Sequence, residues 1–135
     1  ILKLGKLVQK IKIAEMSAYG LKAIHVMCVY FAGISPVTAV ELSRLTSEDK
    51  AAISRALSQL KQKGYVNYAA GAYNAEVTLT EEGKKLFGVI NVRAGAAVNY
   101  AGKALSEEER TVLYKALASI SSNLEEYYEN LCKNH

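Results

Sequence analysis

The whole chain holds one proline, Pro36, and this limits the fold more than any other feature. Proline is the main breaker of helix interiors, so most of this chain is free to run as uninterrupted helix. The apolar residues fall accordingly. From Val112 to Leu131 they recur at three- and four-residue steps through Leu113, Ala116, Leu117, Ile120, Leu124, Tyr127 and Tyr128, the stripe of an amphipathic helix. Residues 2–16 repeat the pattern, with Leu4, Leu7, Val8, Ile11 and Met16 separated by Lys3, Lys6, Lys10 and Lys12. Half of the 135 residues are apolar and the mean hydropathy is +0.03. That is too apolar for a disordered chain, and the length suffices for a core without disulfide or metal staples.

Such apolarity raises the question of a membrane. Ala23 to Val40 carries no Asp, Glu, Lys or Arg over 18 residues, close to the minimum for a spanning helix. Gly33-Ile34-Ser35-Pro36 interrupts it after about ten helical residues, the length of a buried core helix. The opening Ile1-Leu2-Lys3-Leu4-Gly5-Lys6 alternates apolar and basic residues and lacks the continuous apolar core of a signal peptide. The expectation is a cytoplasmic protein with no membrane partner.

Local signals place the remaining elements. Leu21 to Phe31 reads as an apolar helix. Thr38 and Glu41 have capping-box spacing before a short helix from Ala39 to about Leu45. Thr46-Ser47-Glu48-Asp49 interrupts it, and Asp49 or Ser47 then caps a helix from Lys50 to about Lys63. Its apolar stripe is Ile53, Ala56, Leu57 and Leu60, which turns Lys50, Ala51, Ser54, Arg55, Ser58 and Lys61 outward. Gly64 suits the left-handed residue after its end. Tyr65–Tyr68 and Glu76–Leu79 are strand candidates around an Ala-Ala-Gly-Ala-Tyr-Asn turn. A helix from Thr80 to about Ala104 follows, and Ser106 with Glu109 boxes the start of the last one.

The order defines a mainly α class with a small β-hairpin, a winged helix-turn-helix. The apolar stripes on residues 4–16 and 86–131, more surface than one small winged helix can cover, are read as N- and C-terminal dimerisation helices. The chain is read as one domain over 1–135, with a DNA-binding lobe at about 34–82 and a dimerisation lobe at about 1–18 and 84–135. Charge agrees with an anionic partner for the first half. Residues 1–63 hold ten Lys or Arg against four acids, and residues 64–135 hold seven against nine. A helix with small residues outward fits the major groove while flanking cations meet phosphates. Arg55 is long enough to fork onto a guanine edge.

The run Glu41-Leu42-Ser43-Arg44-Leu45, then Lys50 to Val66, resembles the MarR family of bacterial winged-helix transcription regulators. Val77-Thr78-Leu79-Thr80-Glu81-Glu82-Gly83 and Ser106-Glu107-Glu108-Glu109-Arg110 resemble that family's wing exit and last helix start. The likeness covers residues 37–131, and its strength lies in the ordered combination rather than in any one motif. It implies a homodimer, with Leu4, Leu7, Ile11, Leu113, Leu117, Ile120 and Leu124 in the interface. It also implies a palindromic double-stranded operator, a repressor's role, and a small-molecule effector in a cleft for which Tyr19 and His25 are the candidates.

One departure stands out. The family's wing carries an Asp-x-Arg pattern, whereas Asn67 to Ala75 holds no charge at all. Tyr73 and Asn74 remain as candidate sugar or phosphate contacts. That wing keeps an alternative in play, a winged helix serving as a protein-interaction module without specific DNA binding. His25 has no metal-ligating companions and reads as a satisfied core or cleft histidine. Cys28 and Cys132 form no framework, and the apolar neighbours of Cys28 favour burial. Glu107, Glu108 and Glu109 fit first-turn charges on a helix dipole rather than paired catalytic carboxylates. No enzyme activity, cofactor or metal is expected.

Overall fold

The computed structural model describes residues 1–69, 71 and 74–135. The described residues form six helices, α1 (Leu2–Met16), α2 (Ala23–Ile34), α3 (Ala39–Thr46), α4 (Lys50–Gln62), α5 (Glu81–Ala101) and α6 (Glu107–Lys133), with a 3-10 turn at Ser17–Tyr19. Three short strands, β1 (Val37–Thr38), β2 (Val66–Asn67) and β3 (Glu76–Leu79), form an antiparallel sheet in the order β1-β3-β2. Residues 1–95 make one compact unit and residues 96–135 another.

The expected caps form. In α3 the Glu41 amide donates to Thr38 Oγ1 (3.2 Å) and the Thr38 amide to Glu41 Oε2 (2.8 Å). Ser106 and Glu109 repeat the box at 3.1 and 2.8 Å. Each satisfies helix-end amides that would otherwise lack partners. Gly64 adopts φ +81°, the left-handed conformation that lets the chain turn from α4 into β2. The third strand was not expected. Val37 and Thr38 pair with Val77 and Glu76, so a two-strand hairpin becomes a three-strand sheet. α2 starts two residues after the expected Leu21, because Gly20 turns left-handed (φ +66°) and Lys22 takes the cap position.

In residues 1–95 the core is continuous. Leu42, Ile53, Leu60, Val29, Val77 and Cys28 are fully enclosed, with Val26, Ala56, Leu57, Val66, Leu86 and Ile90 around them. α4 thus contributes one complete face to the core, and that fixes which of its residues remain outside. No single helix among the described residues is long and apolar enough to cross a membrane.

Candidate nucleic-acid interface

The turn between α3 and α4 is held from within. Ser43 Oγ donates to the Glu48 carbonyl (2.5 Å), Thr46 Oγ1 to the Leu42 carbonyl (2.7 Å), and Ser47 takes a left-handed φ of +57°. Of the two candidate caps, Asp49 is the one used: its Oδ1 accepts from the Ala52 amide at 2.7 Å. With Ile53, Ala56, Leu57 and Leu60 buried, Lys50, Ala51, Ser54, Arg55, Ser58 and Lys61 are all exposed, as their spacing requires. The helix contains no acid. Among the described residues neither Lys50 nor Arg55 has a salt-bridge partner, so both cations face solvent ready for an anion.

Lys61 is already engaged. Its Nζ donates to the Tyr68 carbonyl (2.9 Å) and lies 4.5 Å from the centre of the Tyr68 ring. It therefore ties the end of α4 to the base of the wing, a role its place on the outward face did not suggest. Asn74 is exposed in the turn leading to β3. Tyr73 lies outside the described residues. The wing's other anchor is at Thr80, whose amide donates to the Tyr65 carbonyl (3.1 Å) and whose Oγ1 donates to the Gly64 carbonyl (2.5 Å).

The effector candidates part company. Tyr19 is half-buried with the Arg93 guanidinium 5.7 Å from its ring centre. Arg93 also reaches the Glu15 carboxylate (3.2 Å) and the Glu15 carbonyl. Nearby on α1, Lys12 rests its Nζ on Met27 Sδ at 3.1 Å, and burial lowers its pKa. His25 is 3% exposed and both of its ring nitrogens are occupied. Nδ1 accepts from the Lys22 amide at 3.0 Å, and Nε2 meets Gln59 Oε1 at 2.7 Å. Gln59 lies on α4, 34 residues away, and no local signal in the sequence could have revealed the link. Cys28 is fully buried, and burial, helped by the charge of Glu48, pushes its thiol up to about 12. No cluster of metal-ligating side chains occurs among the described residues.

Two helices carry exposed apolar faces. On α1, Leu4, Leu7, Val8 and Ile11 are exposed. On α6 no residue is buried, and Val112, Leu113, Leu117, Ile120, Leu124, Tyr127, Tyr128 and Leu131 all face solvent. In residues 96–135 an open apolar groove of about 560 Å³ runs along Leu105, Val112, Leu113 and Ala116.

A recognition-type helix set on a helical tripod beside a small wing defines a winged helix-turn-helix. The chain matches no protein-family model and no curated protein. Solved structures do match. A MarR transcriptional regulator from Methanosarcina mazei Go1 superposes with a TM-score of 0.86 at 21% identity, covering 94% of this chain and 88% of that one. A Listeria monocytogenes MarR family structure complexed with 26mer DNA gives 0.82 at 19% identity, covering 98% and 94%. A Mycobacterium tuberculosis MarR family protein complexed with p-aminosalicylic acid gives 0.72 at 22%, covering 89% and 94%. The fold of this chain is the MarR-type winged helix.

Proposed function

We propose that this protein is a DNA-binding transcription regulator acting as a homodimer on a palindromic operator. The observation that carries the reading is the outward face of α4. Small residues (Ala51, Ser54, Ser58) alternate there with the unpaired cations Lys50 and Arg55, on a helix whose other face is locked in the core. Small side chains permit close approach to the major groove, and the cations supply base and phosphate contacts. Arg55 reads a base edge and Lys50 holds a phosphate. Lys61 steadies the wing, and Asn74, exposed in the turn before β3, serves as a sugar or phosphate contact. The DNA complex of the Listeria structure supports this use of the fold.

The dimer reading rests on α6, whose apolar stripe is unburied along 27 residues. An exposed apolar face that long marks an association surface, and α1 carries an exposed apolar face of its own at Leu4, Leu7 and Ile11. A dimer places two copies of α4 about 34 Å apart, one turn of duplex. Repression as the sign of control, and release by a small aromatic acid, complete the reading. The p-aminosalicylic acid complex supports the second, with Tyr19, Lys12 and Arg93 as the groups suited to an aromatic carboxylate.

Binding selection from random duplexes tests the proposal. Enrichment of a two-fold symmetric site is the expected result. The uncharged wing favours one other reading, a protein-interaction module, and failure to enrich any duplex at low salt would decide for it.

A further inference from the structure

The link between His25 and Gln59 leaves the ring only one neutral form. A backbone amide can only donate, so Nδ1 opposite the Lys22 amide must be bare and accept (3.0 Å). The ring proton then sits on Nε2 and is donated to Gln59 Oε1 (2.7 Å). The ring spans two elements: it completes the start of α2 and grips α4 one turn before its end. It is also the one polar side chain among the buried residues described. A second proton would have to enter at Nδ1, where it would face another donor.

From this geometry we infer that His25 is a positioning residue for α4, holding the recognition helix in its DNA-binding setting while neutral and releasing it on protonation. The inference rests on the DNA-binding reading above for its output, but not for the link itself.

The surroundings oppose the cation. Burial lowers the pKa of His25 below its ordinary 6.5; the Gln59 bond partly offsets this, and the charges of Lys22 and Lys63 add to it. Of the elements packed on α2, α4 brings Lys63. α1 brings Lys12, seated on Met27 two residues further along. The charges on α3 and β3 (Glu41, Arg44, Glu76) are exposed, and Glu48, in the turn before α4, acts on Cys28. Among the described residues no carboxylate pairs with the ring. The sign follows: the linked state holds fewer protons than the released one, so it is complete above pH 6.5 and weakens as pH falls below that value.

The test has two arms on the full-length protein. In the first, 15N NMR of the His25 ring is followed from about pH 7.5 to about pH 5.5, a range in which histidine titrates and carboxylates stay ionised. The expected result is a neutral ring protonated at Nε2, with a pKa below 6.5 and amide shifts at Gln59 to Gly64 that follow the ring. A ring protonated at Nδ1, or α4 amides indifferent to its titration, would overturn the inference whether or not DNA binds. In the second arm, the affinity for a selected duplex is measured over the same range. Wild type should weaken by up to about tenfold per pH unit below 6.5, and His25→Gln, which keeps an acceptor and a donor without a titration, should change by less than about twofold. Gln59→Glu should shrink the acid loss, because a carboxylate favours the imidazolium and brings the pKa of the linked ring toward that of the released one. This variant keeps the second arm decisive if His25→Gln does not fold. Equal acid loss in wild type and both variants, or none in wild type, would refute the coupling. Absence of DNA binding at every pH would sink the functional reading, while the first arm still decides the link.

Discussion

Gly83 is where a single methyl group should do the most damage. It lies buried in the first turn of α5, directly on the Tyr65 carbonyl, and a Cβ built there would land on that oxygen while standing 3.0 Å from its carbon and 3.2 Å from Leu79 Cβ. Neither neighbour is a flexible side-chain end. The Tyr65 carbonyl accepts from the Thr80 amide (3.1 Å), and Thr80 Oγ1 accepts from the Gly83 amide (3.0 Å). Gly83→Ala must therefore push α5 away from β2 and stretch the bond that closes the wing. Overpacking costs about 1–3 kcal/mol, and a weakened hydrogen bond adds about 0.5–1.5 kcal/mol. Against this, alanine gains about 1 kcal/mol of helix propensity. The net loss is about 2 kcal/mol, or about 8 °C in Tm for a domain of this size. Gly88→Ala, on the same helix with open space around it, is the control and should raise Tm by a few degrees. Thermal unfolding followed by circular dichroism at matched protein concentration reads both. If Gly83→Ala melts at or above the wild-type temperature, the close packing of α5 on the wing base is wrong.

Two other predictions follow from burial. Leu117→Glu places a charge in the unburied stripe of α6 and should turn a particle of twice 14.7 kDa into one of that mass in sedimentation, with the helical signal of residues 1–95 retained; an unchanged mass would remove α6 from the interface. Cys28, with its thiol pushed up to about 12 and no solvent access, should resist a thiol reagent at neutral pH while exposed Cys132 reacts within minutes. Equal labelling of both before unfolding would show that the core around Leu42 and Ile53 opens.

Much of this fold was legible because its signals are local. Thr38 with Glu41, Ser106 with Glu109, and Gly64 lie within a turn of the helix end that they cap, and the stripe Ile53, Ala56, Leu57 and Leu60 fixes the outward set of α4 by periodicity alone. What stayed hidden depends on distant partners. β1 is two residues long and exists only because Val77 and Glu76 come alongside. Lys22 is not a cap by type, and α2 starts there because His25 reaches back to its amide. Lys61 reads as a free cation until the Tyr68 carbonyl is placed beside it. The His25–Gln59 bond joins residues that no sequence period connects.

The most direct test of α4 as the DNA-reading helix is the salt dependence of binding to the selected duplex, measured by fluorescence anisotropy for wild type and Arg55→Ala. The expected result is that log K falls with log salt by about 0.9 per phosphate contact, with a similar slope in both proteins. Arg55→Ala should weaken binding by about 1–3 kcal/mol, and the loss should vanish on a duplex changed at the one base pair that Arg55 reads. Undiminished binding by Arg55→Ala, or an affinity indifferent to salt, would contradict the assignment of α4 as the helix that reads DNA.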